Sequence, residues 1–221
     1  MNKPLVIFGS NDLAELALYY FTHDTSYDVA AFTLDSAFIT EETSFGLPVV
    51  PFENISSVYP PDKCDMFIAL SYSKLNEIRK NKYLEAKAKG YELANYISSH
   101  ATVLNGNDFG DNCFILEDNT IQPFVKIGSN VTLWSGNHIG HHSVIEDHNF
   151  LASHVVVSGG VTIKEKCFIG VNATLRDHIT VGEKSVIGAG ALVLKNIEPE
   201  GVYIGQETDR AKVPSTRLKR I

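Results

Sequence analysis

Two adjacent histidines and a later pair of glycines are the residues whose spacing best suits chemistry in this sequence. His141 and His142 are followed, eighteen residues on, by Gly159 and Gly160. A neutral imidazole can take a proton from an attacking amine or hydroxyl at physiological pH. A backbone N–H of Gly159 or Gly160 could stabilise the oxyanion of a tetrahedral intermediate. Together these groups are the parts of an acyl-transfer site.

The interval of eighteen matters because the surrounding sequence repeats with a period of six. From Ile97 to Val193 every sixth residue is large and apolar, through seventeen consecutive positions. A six-residue period is typical of a parallel β-helix, in which three hexapeptides make one triangular coil. Side chains eighteen residues apart then lie one above another. We therefore expect His141 to lie beside an open notch, formed where Gly159 and Gly160 have no side chains.

The other histidines are weaker candidates for catalysis. Five of the eight histidines hold the fourth position of a hexapeptide, and most of these five are expected to be solvated turn residues: His100, His142, His148, His154 and His178. His138 and His141 fall outside that class. His141 is therefore the candidate general base.

The first part of the chain predicts an α/β domain with a Rossmann-like parallel sheet, because short apolar strands alternate with helical patterns. The predicted strands are Leu5–Gly9, Val29–Leu34, Val49–Val50 and Met66–Leu70, and the predicted helices are Leu13–Phe21 and Ser73–Ala88. We place this domain at residues 1–95, the β-helix at residues 96–197 and a C-terminal extension at residues 198–221.

Ligands of such sheets bind beyond the carboxyl ends of the strands. Those ends are Gly9-Ser10-Asn11, Asp35-Ser36 and Ser71-Tyr72. The helix after Gly9 could receive a phosphate at its N-terminus, although a plain strand-to-helix turn explains the sequence equally well. Residues 9–14 contain one glycine where the dinucleotide fingerprint has three, which argues against NAD.

Composition narrows the class of protein further. The formal net charge of −7 argues against a nucleic-acid partner. No apolar run is long enough to insert into a membrane, and no secretory signal is recognisable, so we expect a cytoplasmic protein. Cys113 and Cys167 lie three coils apart, roughly 14 Å at one strand spacing per coil, which is too far for a disulfide. We expect both to be reduced core residues.

With an α/β domain before a β-helix, the chain resembles the sugar acyltransferases of the sialic-acid O-acetyltransferase and bacillosamine-pathway nucleotide-amino-sugar N-acetyltransferase family. The most specific stretches are residues 139–147, 157–159, 169–173 and 187–191. The resemblance implies a left-handed β-helix and a homotrimer with its active sites between neighbouring subunits. It also implies acetyl-CoA as cosubstrate, no metal, and an N-terminal domain that holds a nucleotide-linked amino sugar for surface glycan synthesis.

Position by position, the resemblance assigns roles to residues of this chain. His141 would be the general base, and the backbone of Gly159 would face the thioester carbonyl. Gly170 and Ala189, with Gly159, would line the groove for the pantetheine of the cosubstrate. Five residues of the N-terminal domain would contact the nucleotide-linked sugar: Gly9, Ser10, Asn11, Asp35 and Ser71.

One departure from the family concerns the residue after the base. The family usually has an acidic residue there, which orients the imidazole, whereas this chain has His142. Another carboxylate, from Asp147 or from the adjoining subunit, is expected to take that role.

Three alternatives remain open. The acceptor could be the hydroxyl of a free sugar of the sialic-acid type, which would make the protein an O-acetyltransferase. Histidines could instead hold zinc in a β-helix hydratase, with His138, His141, His142 and His178 as possible ligands. The chain could also be a non-catalytic trimeric scaffold, although the notch beside His141 argues against this.

Overall fold

The N-terminal part of the chain is a five-stranded sheet flanked by helices, in a computed structural model that describes residues 4–210 and 212–217. The strands are β1 (Pro4–Phe8), β2 (Asp28–Leu34), β3 (Thr43–Ser44), β4 (Leu47–Pro51) and β5 (Asp65–Ile68), and the helices are α1 (Asp12–Asp24), α2 (Ile55–Val58) and α3 (Glu77–Ala88). The strand order is β3-β4-β2-β1-β5. All neighbouring strands are parallel except β3 and β4.

The continuous apolar sequence of β1 explains its place within the sheet. Residues 5–8 are all buried, so the strand is covered on both faces. Leu5 and Ile7 pack with Phe21 of α1 on one face, whereas Val6 and Phe8 pack with Ala86 of α3 on the other. The sheet is thus held between the two long helices.

The two long helices begin in different ways. Asn11 caps α1, because its side-chain oxygen accepts a hydrogen bond from the N–H of Ala14 at 3.4 Å. The predicted start of the second helix at Ser73 is wrong, since α3 begins at Glu77. Residues 74–76 have left-handed φ angles of 50°, 52° and 64°, which a helix cannot contain. The amide of Asn76 donates to the carbonyl of Cys167 at 3.1 Å, so contact with the β-helix stabilises this turn.

The β-helix consists of two-residue strands. In each strand up to β22, the second residue is the large apolar residue of the six-residue period. The strands are β6 (Tyr96–Ile97), β7 (Thr102–Val103), β8 (Asp108–Phe109), β9 (Phe114–Ile115), β10 (Thr120–Ile121), β11 (Lys126–Ile127), β12 (Thr132–Leu133), β13 (His138–Ile139), β14 (Val144–Ile145), β15 (Phe150–Leu151), β16 (Val156–Val157), β17 (Thr162–Ile163), β18 (Phe168–Ile169), β19 (Thr174–Leu175), β20 (Thr180–Val181), β21 (Val186–Ile187), β22 (Leu192–Val193) and β23 (Val202–Tyr203).

These strands form three parallel sheets around one apolar core. The six-stranded sheet contains every third strand from β7 to β22, the five-stranded β-helix sheet those from β8 to β20, and the seven-stranded sheet those from β6 to β21 together with β23. Partners from β6 to β22 lie eighteen residues apart, as where His138 pairs with Thr120 and Val156, whereas Val186 of β21 pairs with Val202 of β23. The predicted fold class, an α/β region followed by a left-handed parallel β-helix, is confirmed.

The chain turns at three corners of this triangular prism. We call them the first corner, after the six-stranded sheet, the second, after the five-stranded β-helix sheet, and the third, after the seven-stranded sheet. His142, His148 and His154 occupy one corner each, with left-handed φ angles of 60°, 63° and 58°. His148 is buried at 5% exposure rather than solvated as predicted, because the N-terminal part covers the second corner.

The N-terminal part packs on the seven-stranded sheet and the second corner. Tyr72 contacts the ring of Phe150 with centroids 5.0 Å apart. The buried guanidinium of Arg79 in α3 donates to the hydroxyl of Thr132 and to the carbonyl of Asn149. Because the first corner lies across the prism from the seven-stranded sheet, the N-terminal part of the same chain leaves that corner uncovered.

The β-helix continues further than the apolar period predicts. Val202–Tyr203 adds β23 to the seven-stranded sheet beside β21, and Ile197 bridges to Val181. Ile197 follows Val193 by four residues instead of six, so one short turn hides the continuation of the pattern. The C-terminal extension therefore includes a strand of the prism.

Two further expectations concern membrane-spanning helices and the cysteines, and both are considered for the part of the chain that the structure describes. No helix there is long and apolar enough to cross a bilayer. All three cysteines are free and buried, which confirms the prediction for Cys113 and Cys167.

Candidate active site

His141 lies exposed at the first corner, between the six-stranded sheet and the five-stranded β-helix sheet. Its backbone N–H donates to the side-chain oxygen of Gln122 at 2.9 Å. Its ring lies directly against the α-carbon of Gly159 in the next coil. A Cβ placed on Gly159 would be 2.7 Å from Cε1 and 2.8 Å from Nε2 of His141. Glycine at 159 is therefore what gives the imidazole its position.

The predicted open notch is closed by imidazole rings. The ring of His141 covers Gly159, and the ring of His178 covers Gly160. The N–H of Gly160 donates to the carbonyl of His141 at 2.8 Å, so it cannot also serve an oxyanion. The expectation was wrong because these side chains lean along the prism axis onto the glycines of the neighbouring coil. Of the two predicted donors, only the N–H of Gly159 remains.

The N–H of Gly159 has no acceptor within residues 4–210 and 212–217. The residue below it is Gly140, and a Cβ placed there would lie 2.5 Å from the nitrogen of Gly159. At the equivalent place one coil lower, the side chain of Gln122 instead occupies the N–H of His141. Gly140 thus leaves the space beside this backbone donor empty.

His142 is the nearest side-chain partner of His141. The two Nδ1 atoms are 3.1 Å apart, and the rings meet edge to face at 84°. Asp147 does not orient the imidazole as expected, because it lies at the second corner and its carboxylate accepts from the N–H of Ser129 at 2.8 Å. The hexapeptide spacing explains this, since one strand separates the two corners.

Gly170 and Ala189, the other two predicted cofactor residues, lie at the third corner. Ala189 stacks on Gly170, where a Cβ would be only 2.7 Å from the nitrogen of Ala189. Gly159 lies at the first corner instead. Within one chain the three residues therefore do not form a continuous surface.

A cleft of about 240 Å³ lies at the carboxyl ends of β1 and β2 in the N-terminal part. Four of the five predicted sugar-nucleotide residues line it: Gly9, Ser10, Asn11 and Asp35. Ser71 follows the lining residue Leu70, and its hydroxyl lies 3.4 Å from that of Ser73. The cleft therefore brings together the strand ends at Gly9 and Asp35 but not Ser71.

Lys82 also lines this cleft, and sequence reasoning missed it. Its ammonium group lies 2.8 Å from the carboxylate of Asp35 and 2.7 Å from that of Glu85. Burial alone would lower the pKa of Lys82, but the hydrogen bonds to the two carboxylates outweigh it and raise the pKa. Ile78 and Lys82 line the cleft one turn apart on α3, and this i, i+4 spacing could have revealed them.

A longer groove of about 1020 Å³ follows the five-stranded β-helix sheet, and of the residues predicted for the site only Asp147 lines it. Its charged side chains include Lys164 and Glu146, which form an ion pair at 2.6 Å. We interpret this groove as a solvated face of the prism.

The zinc alternative requires several metal-binding side chains close together. Among the residues that the structure describes, no group of three or more His, Cys, Asp or Glu side chains could hold a metal ion.

The repeats match a known family model. Residues 125–159 and 160–195 match the bacterial transferase hexapeptide (six repeats). The predicted hexapeptide-repeat architecture is thereby confirmed.

Several solved structures are similar to both parts of the chain. The acetyltransferase domain of PglB from Neisseria gonorrhoeae FA1090, in complex with acetyl coenzyme A, is 21% identical with a TM-score of 0.81, over 91% of this chain and 96% of that chain. A histidine-to-asparagine mutant of perosamine N-acetyltransferase from Caulobacter crescentus, in complex with CoA and GDP-perosamine, is 23% identical with a TM-score of 0.81, over 91% and 93%. WeeI from Acinetobacter baumannii AYE is 19% identical with a TM-score of 0.77, over 91% and 96%. This chain has the fold of these proteins.

Sequence comparison with curated proteins finds no match.

Proposed function

We propose that this protein is an acetyl-CoA-dependent N-acetyltransferase. Its acceptor is the amino group of a nucleotide-linked amino-deoxy sugar used for surface glycan. The observation that carries the proposal is the imidazole of His141 against Gly159, whose N–H is open. A base and an oxyanion donor within one coil of each other are what acyl transfer needs.

The chemistry follows from these two groups. The amine attacks the thioester carbonyl carbon while Nε2 of His141 takes the proton of the amine. The negative charge that develops on the carbonyl oxygen is stabilised by the N–H of Gly159. Collapse of the tetrahedral intermediate breaks the carbon–sulfur bond, and the imidazolium returns its proton to the departing CoA thiolate.

The pantetheine of acetyl-CoA is proposed to lie along Gly159, Gly170 and Ala189. Gly159 lies at the first corner of the prism, whereas Gly170 and Ala189 lie at the third. A single linear ligand would therefore contact both corners only if it lay between two neighbouring β-helices. This supports the proposal of a homotrimer with sites between subunits. The similar structures from Neisseria and Caulobacter were solved with acetyl coenzyme A and with CoA.

The nucleotide is proposed to bind in the cleft of the N-terminal part. Ser10 and Asn11 precede the thirteen-residue helix α1, whose N-terminus suits a phosphate. Asp35 and Lys82, which form an ion pair at 2.8 Å, supply further polar groups to the lining of the cleft. The cleft favours a nucleotide-linked sugar over a free sialic-acid-type sugar, and the Caulobacter structure contains GDP-perosamine.

The direct test is to offer acetyl-CoA with a panel of nucleotide-linked amino sugars and to follow thiol release. Each sugar is paired with its analogue that carries a hydroxyl in place of the amine. We expect release with an amino sugar and none with its hydroxyl partner. Release with the hydroxyl analogue would support the O-acetyltransferase alternative, whereas absence of both turnover and CoA binding would support the scaffold alternative.

A further inference from the structure

The two histidines at the first corner form a coupled pair. Their Nδ1 atoms are 3.1 Å apart, a hydrogen-bond distance. In a pair of ring nitrogens one must carry the hydrogen and the other must not. The tautomer of His142 therefore fixes the tautomer of His141.

The role proposed for His141 requires one direction for this hydrogen bond. Cε1 and Nε2 are the ring atoms of His141 nearest to a Cβ placed on Gly159, at 2.7 and 2.8 Å, and Nε2 is the nitrogen that the proposed function requires to accept a proton. For Nε2 to be free, Nδ1 of His141 must carry the hydrogen and donate it to Nδ1 of His142. We propose that His142 is a positioning residue that holds His141 in this tautomer, a role that rests on the proposed function of His141 as the base.

The surroundings of His142 hold its ring in place. Its backbone has a left-handed φ of 60°, and its N–H donates to the carbonyl of Pro123 at 3.3 Å. Its ring lies on that of Phe124, with centroids 4.9 Å apart. Phe124 itself has a φ of 67°, which is rare for a large side chain. The strained Phe124 backbone thus places an aromatic surface under the imidazole of His142.

The acceptor in this pair is neutral, not a carboxylate. The turn below contains Gln122, Pro123 and Phe124, none of which is ionisable. The turn directly above contains Ser158, Gly159 and Gly160, which are not ionisable either, and Asp177 and His178 lie one coil further on. The pair consequently orients the base without placing a negative charge against Nδ1 of His141.

Three substitutions at position 142 separate the effect of the hydrogen bond to His141 from the effect of charge on the acceptor. His142→Gln keeps a neutral acceptor, His142→Glu supplies an anionic one, and His142→Leu supplies none at similar size. We expect His142→Gln to retain activity within about threefold and His142→Leu to lose about 10- to 100-fold in kcat, because the base is no longer held in its tautomer. In His142→Glu the acid limb of the kcat/KM profile should move up by about one pH unit.

The control is His23→Leu. His23 is an exposed histidine in the last turn of α1, and its Nδ1 lies 2.7 Å from the carbonyl oxygen of Tyr19. We expect this variant to keep the wild-type rate and pH profile. Equal losses in the leucine variants at 142 and 23, or an unshifted profile in His142→Glu, would overturn the role of His142.

The tautomer can be measured without any substrate. Long-range ¹H–¹⁵N NMR of the histidine rings in the full protein should show His141 with hydrogen on Nδ1 in the wild type and in His142→Gln, and a mixture in His142→Leu. Hydrogen on Nε2 of His141 in the wild type would contradict the inference. The expected tautomers together with no acyl transfer to any acceptor would support the pair and overturn the proposed function instead.

Discussion

Gly140 and Gly159 have different roles at the candidate site, although neither position has room for a side chain. Gly159 makes room for the imidazole of His141, and Gly140 leaves the space beside the N–H of Gly159 empty. Neither glycine has a positive φ, so an alanine at either position would act through its added methyl group and not through backbone strain. This makes both positions suitable for testing the base and the oxyanion donor separately.

Substitution of Gly140 by alanine should block the oxyanion donor. The new Cβ would lie 2.5 Å from the nitrogen of Gly159, so we expect kcat to fall about 10²- to 10³-fold with little change in KM. Gly110→Ala is the matched control, because its Cβ would meet the nitrogen of Ser129 at the same 2.5 Å but at the second corner. Initial-rate kinetics on both variants would measure this, and equal losses would mean that the effect is structural.

Substitution of Gly159 by alanine should displace the imidazole. A shift of about 1 Å at a reacting group costs on the order of 10²-fold in rate. Since this loss would act through His141, we expect Gly159→Ala to add little when His141 is already alanine. A double-mutant cycle on kcat/KM measures the coupling, and additive losses would show that Gly159 acts independently of the imidazole.

The six-residue period was sufficient to predict that His141 stacks on Gly159, but it could not predict how the rings rotate. The direction of a side chain depends on χ angles that a repeat does not specify, so the closed notch was missed. Lys82 was missed for a different reason. It joins the cleft only because α3 packs beside the carboxyl end of β1, and this packing is a tertiary contact.

At the scale of elements, a polar ladder joins the N-terminal sheet to the second corner. The carboxamide oxygen of Asn112 accepts from the N–H of Ile68 at 2.8 Å, and its nitrogen donates to Asn130 at 2.8 Å. The amide nitrogen of Asn130 is therefore left to donate to Nδ1 of His148 at 2.9 Å. All three side chains are at least 95% buried, so His148 must be neutral to complete the ladder.

This ladder predicts a pH-dependent stability. Burial lowers the pKa of His148 from 6.5 to about 4. Between about pH 4 and pH 6.5, the unfolded chain therefore binds a proton at His148 that the folded chain does not bind. Stability is complete above about pH 6.5 and falls as the pH decreases toward 4, by up to about 3 kcal/mol from this residue.

Urea unfolding of the wild type and of His148→Asn across this pH range would test the prediction. Asparagine tolerates the left-handed backbone and can accept from Asn130, so the variant should keep the ladder and lose most of the pH dependence. An unchanged slope in the variant would assign the effect to other groups.

The turn before α3 could not be predicted from the sequence. Residues 74–76 belong to an amphipathic pattern, yet they adopt left-handed conformations because Asn76 and Arg79 bond to the β-helix. Contacts between distant parts of the chain override local helical preference there. The prism strands were predictable because their period depends on local repetition.

In the whole molecule, the cleft and the candidate base lie in different parts of the chain. The N-terminal part covers the seven-stranded sheet, and His141 lies at the corner across the prism. A reaction that uses both regions therefore calls for two neighbouring chains, with the cleft of one facing the first corner of the other. This agrees with the homotrimer that the sequence resemblance implies.

Mixed oligomers provide a test of this arrangement. One chain type carries His141→Ala and the other Ser10→Phe, which fills the cleft, so neither should be active alone. If each site takes its base and its cleft from different chains, random mixing should restore roughly a quarter of wild-type activity. Activity can be measured by thiol release after co-expression and purification, and an inactive mixture would place both regions of a site in one chain.

The central claim is that His141 takes the proton of the acceptor amine during acyl transfer from acetyl-CoA. The most direct measurement compares thiol release by the wild type and His141→Ala at saturating acetyl-CoA and amino-sugar nucleotide, with binding of both ligands measured separately by calorimetry. We predict a fall in kcat of about 10²- to 10⁴-fold with both affinities retained. Turnover equal to that of the wild type would contradict the claim.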